Sequence, residues 1–134
     1  QIIRGIKNTK STAFLMNSEL DAGAILLQKN LSLDGSLDEI FSRIEKNNFE
    51  IITNIIQGKF KKRKQSGKPS SYKRRTPKQS ELKNLNFSKI YLHNFIRMLS
   101  DPYPNAFIKI GKKKIIFKSS KFDGKTLSIE GVIE

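Results

Sequence analysis

The apolar positions of this chain form short alternating runs and two stretches of helical spacing, separated by a long polar segment. Thr12-Ala13-Phe14-Leu15-Met16 reads as a short buried strand and Ile25 to Ser32 as a second, with a tight turn at Leu20-Asp21-Ala22-Gly23 between them. Asp34-Gly35 is a turn, and Ser36-Leu37-Asp38-Glu39 has the Ser-x-x-Glu pattern of a capping box. A helix is predicted after it, with Ile40, Phe41, Ile44, Ile51, Ile52, Ile55 and Ile56 at helical spacing and Gly58 as its stop. In the second half, Ser88 caps a helix predicted from Lys89 to Ser100. Its stripe is Tyr91, Phe95 and Leu99, flanked by Leu92 and Ile96, and Pro102 and Pro104 end it. Ala106 to Ile110 then alternates toward a turn at Gly111-Lys112, Ile115-Ile116-Phe117 continues as a strand, and Asp123-Gly124 signals a hairpin before Leu127 and Ile129. A helix followed by a meander of short strands fits a small antiparallel barrel of the OB type.

Residues 59–80 separate the halves. From Lys59 to Lys78 there are ten Lys or Arg and no Asp or Glu, with Gly67, Pro69 and several Ser between them. This reads as a basic connector, a loop of about twenty residues, and loops of that length are linkers or functional segments. It belongs to a chain of net charge +14. Such a charge suits the phosphates of a nucleic acid, an anionic membrane surface or a nucleotide diphosphate. For Lys61 to Lys64 a solvated connector is the plainer reading.

Length and composition narrow the rest. The 134 residues hold one modest core or two small ones, and 37% hydrophobic content is enough to fold. The absence of cysteine argues against a disulfide scaffold, and a single histidine without cysteine argues against a structural zinc site; no metal site is expected. No apolar run approaches the ~20 residues that span a bilayer, so membrane insertion is not expected and the expected compartment is cytoplasmic. The first residues read as the middle of an element and the last as the inside of a strand, which gives the expectation of an internal piece truncated at both ends.

Candidate chemistry centres on Asp21. Taken from spacing alone it is an ordinary turn Asp, since Asp and Gly favour turns for conformational reasons. An acid on a tight turn between two strands can also be held rigidly enough to orient a catalytic group. His93 and Arg97 share a helix face four residues apart, and an exposed polar face is the plainer reading of that pair.

The run Leu20-Asp21-Ala22-Gly23-Ala24-Ile25-Leu26-Leu27-Gln28 resembles the Leu-Asp-x-Gly-x-Ile-x-x-Gln signature of the folate-dependent formyltransferases. Downstream, Tyr72-Lys73-Arg74-Arg75-Thr76-Pro77-Lys78-Gln79-Ser80 resembles their Arg-Arg-x-Pro-x-Asp-Ser connector. His93-Asn94-Phe95-Ile96-Arg97 and Asp101-Pro102-Tyr103-Pro104-Asn105-Ala106-Phe107 are similar to the family's helix and the beginning of its next strand. The resemblance runs from about Ile3 to Val132 and leans toward the sugar-nucleotide formyltransferases. Gln79 stands where Asp is usual and Asn105 where Gly is usual.

The resemblance implies an α/β tail of a formyltransferase catalytic domain at 1–58, the basic connector at 59–80, and a small OB-like antiparallel barrel at 81–134. It implies transfer of a formyl group from N10-formyltetrahydrofolate, bound mainly by an upstream part, to a primary amine. An upstream Asn and His would steady the oxyanion, and Asp21 would be the catalytic carboxylate that accepts from that His and favours its charged form. This stretch alone, without the Asn and His, is then expected to be inactive. Gly23 would let the backbone approach folate or the His, or serve as a turn glycine needing positive φ. Arg74 and Arg75 would hold phosphate or carboxylate bidentately. The expected acceptor is a nucleotide-linked amino sugar. The alternatives are methionyl-tRNA, as in methionyl-tRNA formyltransferase, and a non-enzymatic nucleic-acid-binding barrel. A homodimer through the small domain is expected by family analogy.

Overall fold

The computed structural model describes residues 1–68, 70 and 72–134; Pro69 and Ser71, both assigned above to the connector, lie outside the described residues. Two compact units are formed, one from residues 7–72 and the other from residues 1–6 together with 73–134.

The 7–72 unit is built on an antiparallel hairpin of β1 (Asn8–Phe14) and β2 (Ile25–Ser32), registered from Asn8 opposite Ser32 to Phe14 opposite Ile25. The hydrophobic pattern placed β2 correctly and set β1 about four residues too late, because Asn8 to Ser11 are polar yet pair throughout. α1 (Leu37–Ile56) lies on β2. Its capping box is formed: the Glu39 N–H donates to Ser36 Oγ at 3.2 Å, and the Ser36 N–H donates to Glu39 Oε2 at 2.7 Å. Polar side chains tie the helix down along its length. Arg43 Nε donates to the Ser32 carbonyl at 3.2 Å, Asn47 Nδ2 donates to the Asn30 carbonyl at 3.0 Å, and Lys29 pairs with Glu50. The core is Ile25, Leu31, Leu33, Leu37, Ile40 and Ile51. The helical stripe is broader than the buried face, since Ile52 and Ile56 are exposed. A two-stranded hairpin covers one side of a helix and leaves the rest to solvent.

The expected free connector is partly built into this unit. Arg63 forms an antiparallel bridge to Ile25, with the Ile25 N–H donating to the Arg63 carbonyl at 2.8 Å and the Arg63 N–H returning to Ile25 at 3.0 Å. Periodicity gives no sign of this, because a single bridge among cations has no alternating apolar face.

In the other unit β3 (Glu81–Leu82), β4 (Phe107–Ile110), β5 (Lys113–Phe122) and β6 (Leu127–Ile133) form one sheet in that order. α2 (Lys89–Arg97), capped by Ser88, packs on β5, as does the short 3-10 turn Ile2–Arg4 on α2. α2 stops three residues before Ser100, at the C-cap Met98. The predicted β4–β5 and β5–β6 hairpins are present. At the second turn Asp123 Oδ1 accepts the Lys125 and Thr126 N–H groups at 2.8 and 2.6 Å. The closed antiparallel barrel is not formed by these strands. β3 runs parallel to β4, and β3 and β6 are the outer strands of an open sheet. The reason is β3: a parallel neighbour needs a crossover, here supplied by α2, and two residues are too few to show a strand period. Leu82, Leu92, Phe95, Ile96, Leu99, Ala106, Ile108 and Phe117 make the core.

Ile96 is 1% exposed at the centre of that core. Ile96→Ala is expected to lower the unfolding free energy by about 2–5 kcal/mol through lost burial and a residual cavity. Ile56→Ala, at a side chain 80% exposed, is expected to change it by less than about 0.5 kcal/mol. Urea denaturation of both variants checks the contrast.

Candidate functional site

The loop that joins β1 to β2 turns within ten residues and is closed at its base by the Leu15 N–H donating to the Ala24 carbonyl at 2.9 Å. An Asx turn starts it, with the Glu19 N–H on Asn17 Oδ1 at 3.1 Å. Asp21 then takes φ +55°, the one non-glycine with positive φ among the described residues. Asp tolerates this left-handed region better than most residues because its short side chain is polar and unbranched at Cβ.

Gly23 was expected to need positive φ or to admit a ligand. The left-handed position is Asp21 instead, and Gly23 is required for a different reason. It is buried, and a Cβ built on it would lie 1.5 Å from the Leu15 carbonyl oxygen. The two arms of the loop touch backbone to backbone at that point, which leaves no room for a side chain.

Gln65 completes the turn from the far side of the unit's sequence. Its Nε2 donates to the Asp21 carbonyl at 2.6 Å and to the Gly23 carbonyl at 2.8 Å. Two residues earlier Arg63 donates from its guanidinium to Gln28 Oε1, and Gln28 Nε2 donates to Thr12 Oγ1 at 2.9 Å. Arg63 and Gln65 are two apart on an extended segment, so both side chains return to the hairpin. The last residue of the Leu-Asp-x-Gly-x-Ile-x-x-Gln pattern thus bridges β1 to the basic segment. Neither Arg63 nor Gln65 was marked by the sequence; their two-residue spacing is the one signal available, and it is weak among so many polar neighbours.

Around the turn, a cleft of about 930 Å³ is lined by Leu20, Asp21, Ala22, Gln65, Lys68 and Tyr72, among others. Asp21 is exposed in it, and Leu20 is exposed beside it. The lining combines apolar contact, an aromatic ring, an amide and a cation with one carboxylate. Such a mixture of apolar, aromatic and polar groups, at this size, is usual for small-molecule sites. Among the described residues no group of three or more His, Asp or Glu side chains is placed to hold a metal, and no helix is long and apolar enough to cross a membrane.

Arg74 and Arg75 belong to the other unit. Arg74 is exposed. Arg75 donates to the Gln79 carbonyl and lies 5.5 Å from the centroid of the Phe95 ring, the inner end of a stack that continues through Tyr91 to Phe87. A guanidinium held by both a carbonyl and an aromatic face is oriented rather than free. Gln79 is the third residue of the 3-10 turn Pro77–Ser80, and its Oε1 accepts the Thr76 N–H at 2.8 Å. Asn105 Nδ2 donates to the Leu99 carbonyl at 3.0 Å, while its Oδ1 accepts from Lys118 Nζ at 2.6 Å.

His93 is half-buried rather than part of an exposed polar face. Its Nδ1 is 2.9 Å from Ser120 Oγ, and its ring sits beside Phe122. Burial, and secondarily the Arg97 guanidinium, hold its pKa below the usual imidazole value.

The model of the family described as "Methionyl-tRNA formyltransferase, C-terminal domain" matches residues 77–134. The C-terminal part of the chain thus matches a formyltransferase family model, and the rest is similar to solved formyltransferases. A methionyl-tRNA formyltransferase structure from Clostridium thermocellum is 33% identical with a TM-score of 0.89, over 99% of this chain and 59% of that one. The methionyl-tRNA formyltransferase of Syntrophomonas wolfei is 28% identical over 90% of this chain and 40% of its own length. A sugar N-formyltransferase from Helicobacter canadensis, solved with folinic acid and dTDP-3-aminofucose, shares the fold at 17% identity and a TM-score of 0.62, over 98% of this chain and 55% of its own. This chain therefore spans about half the length of the proteins it matches. Their order of similarity favours the methionyl-tRNA alternative over the sugar-nucleotide reading.

Two outcomes follow from this geometry. Gly23→Ala is expected to destabilise the 7–72 unit by about 3 kcal/mol or more, because the clash is with backbone that cannot swing aside; urea denaturation measures it. A depressed His93 pKa means that the unfolded chain binds this proton more readily. Its stabilising contribution is present above the ordinary imidazole pKa and is lost as pH falls through the lower folded value. The thermal midpoint should fall between pH 7 and 5 by less in His93→Gln than in the parent chain.

Proposed function

We propose that this chain is part of a methionyl-tRNA formyltransferase that moves a formyl group from N10-formyltetrahydrofolate to the amine of methionyl-tRNA in the cytoplasm. The observation that carries it is the 33% identity to a methionyl-tRNA formyltransferase over 99% of this chain, against 17% to the sugar enzyme from Helicobacter canadensis. The charge of +14 is consistent with a polyphosphate acceptor. In this reading residues 7–72 are the tail of the catalytic domain, and residues 73–134 with the first six are the small domain.

When bound, the folate supplies the formyl carbon. The contribution of this chain is the Asp21 turn. The Asp21 carboxylate accepts a hydrogen bond from an imidazole upstream of residue 1, sets its orientation and favours its protonated form, so that the imidazole can donate where negative charge develops. Leu20, Ala22 and Tyr72 give the apolar flank of the cleft, and Gly23 fixes the loop by admitting the Leu15 carbonyl. Exposed Arg74 and the oriented Arg75 would take acceptor phosphates. Nucleotide-linked amino sugars remain the competing acceptors, since the same guanidinium groups suit a diphosphate.

Full-length protein with N10-formyltetrahydrofolate, offered methionyl-tRNA and a dTDP-amino sugar in parallel, is expected to formylate the tRNA. Turnover on the sugar alone would overturn this acceptor. Asp21→Asn is expected to lower kcat by about 100-fold or more with the fold intact, as loss of an electrostatic orienting group does. Full retained turnover would remove Asp21 from the reaction.

A further inference from the structure

We propose that Gln65 is a positioning residue for formyl transfer, holding the Asp21 turn in its working conformation through the two hydrogen bonds of its side-chain amide. The proposal rests on Asp21 being the carboxylate that orients the imidazole in that reaction. A carboxylate is useful in an exposed loop only if the loop has one conformation, and three features show how this loop is restricted. Asp21 is in the left-handed region at φ +55°, which Asp tolerates but does not keep to in a free loop unless its surroundings select it. Gly23 closes one side of the loop against Leu15. On the other side, the chain offers two peptide carbonyls, those of Asp21 and Gly23, whose spacing is set by the turn itself.

Gln65 Nε2 reaches both, at 2.6 and 2.8 Å. A primary amide nitrogen carries two hydrogens, so one group satisfies both acceptors at once. It therefore recognises the distance between these carbonyls, and with it the turn in between. No other uncharged side chain except Asn offers two hydrogens on one nitrogen, and Asn is one methylene shorter. Gln65 is itself anchored by the Arg63–Ile25 backbone pair two residues before it. Gln65 and Asp21 are both exposed. Water can replace the exposed bond to Asp21 at little change in stability, whereas the bond to Gly23 is half-buried and its loss adds a modest destabilisation. What is lost is the restriction on the turn, and displacement of a catalytic group by about 1 Å can cost ~100-fold in rate.

The test uses the full-length enzyme with Gln65→Ala and Gln65→Glu, and Asp21→Asn as the reference. Gln65→Glu keeps size and shape but turns the donor into a charged acceptor facing two carbonyls. Both Gln65 variants are expected to lose about 10- to 100-fold in kcat, Gln65→Glu at least as much as Gln65→Ala, with both KM values within about twofold. Hydrogen exchange supplies a readout independent of turnover. The Leu15 amide, bonded to Ala24 across the base of the loop, should exchange at least about fivefold faster in both variants, while Leu92 and Ile96 in α2 are unchanged. Asp21→Asn impaired with kcat preserved in both Gln65 variants would overturn the role of Gln65 and leave that of Asp21 standing. Full turnover in Asp21→Asn would overturn the reading on which the proposal rests. Loss of kcat without faster exchange at Leu15 would overturn positioning through the turn.

Discussion

The contact between the Leu15 carbonyl and Gly23 is the constraint on which the candidate site depends. A side chain at position 23 would collide with backbone, so the loop can close only with glycine there. Once it is closed, Leu15 and Ala24 can bond across its base. Phe14 then pairs with Ile25 after the register slips by one residue between Ala13 and Phe14. The residues between must turn sharply enough to put Asp21 in the left-handed region. A short-range steric fact thus fixes where an acid stands, and the Gln65 amide secures the same turn from a distant part of the sequence. The hairpin strands supply the rigid base, as sites on regular elements require.

The basic segment has two characters that composition could not separate. Arg63 and Gln65 are structural partners of the hairpin, one through backbone and guanidinium and the other through its amide. Lys62 and Lys64, which alternate with them, stay exposed, as the two-residue period of an extended segment requires. The segment can therefore be bound to its own unit on one side and present cations to solvent on the other. Docking of this kind limits how far the charges can move, which makes an electrostatic surface more selective than a free tail of equal charge.

What could be read from the sequence follows the range of the interaction. The Ser36–Glu39 capping box, the Ser88 cap and the Asp123-Gly124 turn depend on residues within three positions of each other, and all are present. β2 shows through its apolar run Ile25-Leu26-Leu27, and β5 through its β-branched and aromatic Ile115, Ile116 and Phe117. The misses are long-range or too short to have a period: the two residues of β3, the Arg63 bridge and the amide of Gln65. The barrel expectation failed at β3, where local alternation cannot reveal whether the next strand in space runs parallel. In α1 the apolar pattern was read in full, but the stripe exceeded the hairpin available to cover it. The Asp21 motif was visible as a pattern and as a resemblance, whereas the exchange of roles between Asp21 and Gly23 needed dihedral angles.

The two departures from the family pattern are explained locally and say little about the acceptor. Gln79 occupies the third position of a 3-10 turn and caps the Thr76 N–H through Oε1, a task an acid performs equally well. Its backbone carbonyl, which any residue supplies, receives Arg75. Asn105 uses its amide to tie Leu99 to Lys118 across the loop between α2 and β4, so a side chain stabilises a turn that glycine would merely permit. Since Gln79 and Asn105 are both engaged in local hydrogen bonds, discrimination between a sugar diphosphate and a tRNA falls to side chains that stay exposed. Of the arginines in that stretch, Arg75 is fixed on the Phe95 ring and would present one geometry to any partner. A diphosphate, which is small and directional, would depend most on such a fixed group. A tRNA backbone would draw on many exposed lysines and respond correspondingly to salt.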